Sequence, residues 1–342
     1  MTSKERVEKL LKGERIDRVP FEPAIYEHKA FLIDKTPSEV AQSEKLLLQA
    51  LRKEHEIYDA DFLVVGLDVY NVEAEALGCQ VRFFENTDVP AISEPILESP
   101  SDVERLKVPN PETDGRMPLF LSAAEQLGKE LGREVVVRGA LSGPFSLSAE
   151  LLGMEKLLIE TFSHPDSVVK LLDFATDTLL AYADAFMDRG VGVVSFDSRC
   201  APPLISPDMY RNTVFPFHRK FMTHLKKRGE TVRALIIGGD TLPLNPFLKD
   251  TGANILLADF TIDLEEAFRS VHDSNVVLRA NLDPLILSQG SRDEIETAAR
   301  KVVATGLRHR RFMMGTGIVP FNTPPENVQI VRKIVETEGK WI

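Results

Sequence analysis

Aspartates recur at one kind of place in this chain. Asp68, Asp197, Asp240, Asp259 and Asp283 each follow closely on a short apolar run. Carboxylates gathered into one hollow repel each other. One of them then has a raised pKa, keeps a proton near neutral pH and can give it to a departing oxygen. The same oxygen-rich set could instead hold a metal, although the spacing of Glu27, His28, Asp68 and Asp197 matches no metal motif. The segment Val232-Arg-Ala-Leu-Ile-Ile-Gly-Gly-Asp-Thr241 shows the arrangement most clearly. A continuous apolar run suits a parallel strand covered on both faces. Gly238 and Gly239 then allow a sharp turn or the close approach of a ligand, and Asp240 stands at the carboxyl end.

The other runs end in polar residues too: Glu27 and His28, Tyr70, Ser142, Arg199, Asn281 and Thr316. Aromatic residues lie near the same ends, namely Phe21, Tyr26, Phe31, Tyr70, Phe145, Phe196 and Phe321, and aromatic walls suit a flat apolar ligand. Structural explanations compete. A carboxylate after a strand often only caps the next helix, and this stands beside function for Asp259 and Asp283. No helix start follows Asp68 or Asp197 at once, which favours chemistry there. His28 is as readily a solvated loop residue. Cys79 reads as structural and Cys200 as a small buried residue, and some of the aromatics read as ordinary core.

These residues need a scaffold that brings strand ends together. The strand candidates are Arg18–Tyr26, Phe62–Leu67, Val135–Leu141, Val191–Phe196, Val232–Ile237, Ile255–Ala258, Val276–Ala280 and Arg311–Met314. Helical patterns separate most of them: Glu39–Tyr58, Pro118–Leu131, Met154–Ser163, Pro165–Arg189, Pro207–Arg228, Leu264–Val271, Arg292–Ala304 and Pro325–Glu336. Eight strands in β-α alternation predict an α/β fold, a closed (β/α)8 barrel in a single domain over residues 1–342. No glycine-rich G-x-G-x-x-G turn opens the chain, which disfavours an open doubly wound sheet. An N-terminal helical extension is expected over Lys4–Lys12, capped by Ser3 and stopped by Gly13. The polar, Pro-rich stretch Thr87–Pro118 reads as an excursion outside the barrel.

Composition narrows the classes. The 342 residues are 43% hydrophobic, enough for a sizeable core. The net charge of −11 argues against general nucleic-acid binding. No segment approaches the roughly 18 uninterrupted apolar residues of a membrane span, and no apolar signal region opens the chain. Two cysteines are too few for a disulfide scaffold, and a reducing cytoplasm is the expected location.

Several motifs together resemble the uroporphyrinogen decarboxylase superfamily. They are Asp68-Val-Tyr-Asn-Val-Glu-Ala-Glu-Ala-Leu-Gly78, Gly143-Pro-Phe145, Leu204-Ile-Ser-Pro207, Gly239-Asp-Thr241, Asn281-Leu-Asp-Pro284 and Gly317-Ile-Val-Pro-Phe-Asn-Thr-Pro-Pro-Glu-Asn327. The resemblance implies a (β/α)8 barrel with a ligand cleft at its carboxyl face. It also implies one of two chemistries: decarboxylation of uroporphyrinogen, or methyl transfer to or from a corrinoid on a separate protein. The decarboxylase branch carries an arginine-rich segment after the first strand, where this chain reads Glu22-Pro-Ala-Ile-Tyr-Glu-His-Lys-Ala30. Its Gly-His-Gly near the last strand is Gly315-Thr-Gly317 here. Asp68 does fall where that branch holds pyrrole N–H groups. The thiol-activating methyltransferases hold zinc by His-x-Cys and a later cysteine. Those positions are Ile236, Gly238 and Thr316, so the family's zinc ligands are absent.

What remains is the substrate-side, corrinoid-dependent methyltransferase of a demethylation system. The resemblance and the aromatics together imply a methoxylated aromatic as donor. Asp68, His28 and Tyr70 are expected near the leaving oxygen, with Asp197 and Asp240 as shaping or protonating groups. Tyr26, Glu27, Phe145, Phe196, Asn281 and Thr316 are expected to bind substrate. The expected partners are a corrinoid-binding protein and a small-molecule methyl donor, with neither nucleic acid nor membrane, and a homodimer is allowed. The alternatives are a carboxylate decarboxylase and a non-catalytic binding protein on the same scaffold.

Overall fold

The computed structural model describes residues 1–341. Eight strands form one parallel sheet: β1 Phe21–Ala24, β2 Phe62–Val65, β3 Val136–Ser142, β4 Gly192–Phe196, β5 Ala234–Ile236, β6 Ile255–Ala258, β7 Val277–Leu282 and β8 Phe312–Ile318. Their order is β1-β8-β7-β6-β5-β4-β3-β2, which curls the sheet into a nearly closed (β/α)8 barrel. At the seam the Asp61 N–H donates to Phe21 O at 2.8 Å. The Asp61 carboxylate in turn accepts the Phe21 N–H at 2.7 Å, Arg18 Nη1 at 2.7 Å and Arg6. One residue before β2 thus ties both strands at the seam to two guanidinium groups.

Side chains alternate across each strand, because successive Cβ atoms point to opposite faces. Along β5 and its flanks, Val232, Ala234 and Ile236 face the barrel interior, while Leu235 and Ile237 face the surrounding helices. The interior layer is completed from below by Val7, Leu10 and Ile16. The first two belong to α1 (Ser3–Lys12), which therefore plugs the amino end of the barrel. Its cap is Thr2, reciprocated by Glu5, one residue earlier than the predicted Ser3. Gly13 does end it, in the left-handed conformation at φ 74°.

Two other expectations are corrected. The helix predicted over Glu39–Tyr58 is two, Pro37–Ala41 and Glu44–Tyr58, because Ser43 caps the second with its own hydroxyl. The excursion does not stay clear of the barrel. Val81–Arg82 and Ala91–Ile92 pair as a short hairpin, and Val89, Pro90, Ala91 and Ile92 form part of a wall at the carboxyl face.

Candidate active site

The carboxyl ends of the strands surround a cavity of about 740 Å³. That volume lies within the roughly 300–1,000 Å³ of small-molecule sites. Its walls are mostly apolar: Leu67 and Val69 after β2, Phe196 on β4, Ile236 on β5, Leu257 on β6 and Phe260 after it. Tyr26 packs edge-on against Phe196, with ring centroids 5.6 Å apart. Tyr70 lies at the mouth, with the Arg199 guanidinium 5.4 Å from its ring centre. Glu150, also in the wall, holds Arg199 in an ion pair.

Polar side chains also line it, Asn71 and Ser198 among them. Glu27 lines it, and burial pushes its carboxyl above the usual range. Arg279 and Asn281 reach in from β7, two residues apart and therefore on the same face. Arg279 donates to Glu22 O at 3.1 Å and Thr316 O at 3.3 Å, and its Nε lies 3.4 Å from the Glu22 carboxylate. Asn281 Oδ1 is buried with no hydrogen-bond partner. Asp259 is also in the wall, but its oxygens already accept the Gly239 and Phe260 N–H groups at 2.6 and 2.8 Å.

Of the residues expected to act, Tyr26, Glu27, Tyr70, Phe196 and Asn281 do share this cavity. Five others do not. His28 is fully buried behind β1. It donates from Nδ1 to Phe321 O at 2.8 Å and accepts the Tyr58 hydroxyl at Nε2 at 2.5 Å, and burial lowers its pKa. Asp197 follows Phe196 and, by alternation, points outward. It accepts the N–H groups of Phe145 at 3.1 Å and Ser146 at 2.7 Å, and His218 Nε2 donates to it at 2.8 Å. Phe145 is buried in the outer layer with its helix, Pro144–Leu152. Thr316 shares the outward face with Phe312 and Met314, and its hydroxyl accepts the Ala24 N–H at 3.0 Å. Asp240 is exposed beyond Gly239, whose φ of +89° turns the chain away, and it caps Leu242 at 3.3 Å.

Asp68 is an intermediate case. It belongs to the wall, but its carboxylate is inaccessible, clamped by Arg116 Nη2 at 2.7 Å and Nη1 at 3.1 Å. No shared hollow therefore joins Asp68, Asp197 and Asp240. For Asp283 the capping explanation holds, since its side chain accepts the Leu285 N–H at 2.8 Å.

These positions give physical reasons for several motifs. In Gly143-Pro-Phe145, Pro144 opens the helix and Gly143 has no side chain to cap it. Asp197 caps it from another strand, and a Cβ on Gly143 would lie 2.2 Å from the Asp197 Cβ. In Val72-Glu-Ala-Glu-Ala76, Glu73 accepts the Ser142 N–H at 2.9 Å, while its second oxygen is buried and unpartnered. Burial pushes the Glu73 carboxyl up from 4.5 to about 7. Below pH 4.5 both folded and unfolded states are protonated, and Glu73 costs nothing. As pH rises towards 7 only the unfolded state ionises, so stability is lost across that window. Glu73→Gln keeps an acceptor for Ser142 without the ionisation. It is expected to raise stability at pH 8 by about 2 kcal/mol and to give no gain at pH 4, measured by urea unfolding at both values.

The zinc implied by the superfamily can be tested against these donors. Ile236 and Gly238 line the cavity, and neither offers a ligand atom. Thr316 faces away, and among the described residues no cysteine or histidine lines the cavity. The donor set does not fit a thiol-activating zinc. Asp197, Cys200 and His218 do lie close together outside the cavity. Their groups are committed to one another and to the helix cap: the Cys200 thiol donates to Asp197 O at 2.9 Å, and the Tyr210 hydroxyl donates to His218 Nδ1 at 2.9 Å.

Comparison with known proteins adds to this geometry. Residues 2–338 match the family described as Uroporphyrinogen decarboxylase (URO-D). A "Methylcobamide:CoM methyltransferase MtbA" of Methanosarcina mazei is 28% identical over 344 residues, 98% of this chain and 97% of that protein. A "Uroporphyrinogen decarboxylase" of Saccharophagus degradans is 28% identical over 301 residues, 84% of this chain and 81% of that one. A solved "methyltransferase from Methanosarcina mazei" superposes with a TM-score of 0.86 at 24% identity, covering 97% of this chain and 98% of that one, and shares the fold.

Proposed function

The chain belongs to the uroporphyrinogen decarboxylase (URO-D) family, and on that premise we propose that it is a corrinoid-dependent methyltransferase moving methyl from a small methoxylated aromatic to a corrinoid on a partner protein. The observation that carries the reading is the cavity itself. It is walled by Tyr26, Phe196, Ile236, Leu257 and Phe260, and it lacks the soft ligands that methylation of a thiol needs. That absence favours transfer away from an oxygen over transfer to a sulfur.

The corrinoid supplies the methyl acceptor when the partner is bound. The chain's own residues position the donor and manage the charge left behind. As the O–CH3 bond breaks, the electron pair stays on oxygen. Tyr26 and Phe196 hold the ring. Glu27, whose carboxyl burial pushes above its usual range, is the acid placed to serve the leaving oxygen, and Tyr70 stands in the same wall beside Arg199. Leu204, Phe260 and Leu285, which follow strands, and Ile318, which ends β8, are exposed apolar residues, which suits the docking of a partner protein. The decarboxylase alternative is weakened by Asp68, whose carboxylate is spent on Arg116 and is not free for pyrrole N–H groups.

The test is an anaerobic assay with a reduced corrinoid carrier and a panel of methoxylated aromatics, scored by release of the demethylated phenol. Phenol is expected from at least one donor, and prolonged treatment with a chelator is expected to leave its rate unchanged. No phenol from any donor, or coproporphyrinogen formed from uroporphyrinogen, would overturn the reading.

A further inference from the structure

Two polar side chains, Arg279 and Asn281, stand together in the cavity wall on β7. Arg279 is 2% exposed, yet its ion pair with Glu22 is loose, at 3.4 Å against the roughly 2.7–2.9 Å of a strong charge-assisted bond. Its shorter contacts, at 3.1 and 3.3 Å, go to main-chain carbonyls, which cannot neutralise a cation. Beside it, Asn281 is 8% exposed and has a buried amide oxygen with no partner. An unpaired buried acceptor costs about 1–3 kcal/mol, and no protein group holds the amide in this orientation. The amide can sit either way round, and a bound oxyanion selects the orientation that presents Nδ2–H. Gly315 makes the room. A Cβ there would lie 2.5 Å from Asn281 Oδ1 and 2.7 Å from Arg279 Nε.

We infer that Arg279 and Asn281 form an oxyanion subsite at the inner end of the cavity, and that the substrate is a methoxylated aromatic carrying a second, anionic oxygen substituent. This rests on the methyltransferase reading for the identity of the ring, but not for the subsite. The geometry supports the placement. A partner-borne methyl acceptor can reach only the mouth, so the methoxy group must point outward. The substituent across the ring then points inward, to a guanidinium and an amide. Glu22, whose carboxyl burial pushes upward, and the Tyr26 hydroxyl both feel this cation. An aromatic carboxylate and a phenolate share the required chemistry.

Calorimetry on the isolated protein, without carrier, separates the cases. The probes are 4-methoxybenzoate, its neutral isostere 4-methoxybenzamide, and 4-nitrophenolate. The unmodified protein is expected to bind at least one of the two anions about tenfold or more tighter than the amide. Preference for benzoate assigns a carboxylate, and preference for nitrophenolate alone assigns a phenolic oxygen. Arg279→Gln is expected to abolish the preference. If that variant does not fold, Asn281→Leu serves, since the buried Asn281 oxygen has no partner to lose, and it is expected to weaken anion binding several-fold. Equal affinity for anions and amide, or a preference untouched by these changes, overturns the subsite. Methyl transfer absent from every donor, with the anion preference intact, sinks the activity and leaves the subsite standing.

Discussion

Asp197→Ala is expected to lower the free energy of unfolding by about 3–5 kcal/mol, the range for removing one partner of a buried charged network. The carboxylate is fully buried and accepts three hydrogen bonds, two from the first turn of the helix Pro144–Leu152 and one from His218. Removing it leaves two helix N–H groups and one imidazole N–H without acceptors. Bonds of this kind to a charged group are worth about 1.5–3 kcal/mol each, and the loss is not fully additive. Asp197→Asn retains one side-chain acceptor and should fall between the two. Urea unfolding followed by circular dichroism reads the difference. If stability changes by less than about 1 kcal/mol while phenol release stops, the residue is chemical and the capping account is wrong.

The second large effect is at Asp68. Asp68→Ala is expected to cost about 2–4 kcal/mol, because Arg116 loses a bidentate partner in a buried setting. The loss is smaller than at Asp197 since Arg116 keeps Glu75 at 2.6 Å and Ala41 O at 3.2 Å. The same ion pair anchors the turn that carries Val69 and Tyr70 into the cavity wall. KM for the donor should therefore rise with the loss of stability, and kcat should change less. A double variant, Asp68→Ala with Arg116→Leu, is expected to recover part of the stability, because no uncompensated charge stays buried. A double variant that is worse by the full sum of the single losses would show that the pair is not what Asp68 contributes.

Both residues were expected to do chemistry because each follows a strand. The expectation gathered every polar residue after a strand end and ignored the face it would occupy. Alternation already sorts them. On β4, Val194 and Phe196 face inward, so Asp197 must face the helices. On β8 the same count puts Gly315 and Gly317 inside and Thr316 outside. On β7 it makes Arg279 the inward companion of Asn281, which is how Arg279 could have been found. The two-residue period is written in the apolar pattern, so this part of the site was readable. The partner of Asp197 was not. Ser146 lies 51 positions away, and only packing of its helix against β4 brings its N–H groups to that carboxylate.

What the sequence by itself determined is local and periodic. The apolar runs and their spacing specify eight parallel strands and the helices between them, because burial on both faces and a period of two residues leave few other folds. Gly13, Gly239 and Pro144 mark turns and a helix start for reasons internal to their own backbone. The missing zinc ligands are visible in the same way, since Ile236 and Gly238 carry no donor atom wherever they lie. What only the tertiary structure decided is which charges are free. Arg116 comes to Asp68 from 48 residues away, and Tyr58 to His28 from 30. Arg279 instead meets only a distant carboxylate and two carbonyls. A buried ionisable group is defined by the groups around it, and those neighbours are chosen by packing between elements, which no local pattern records.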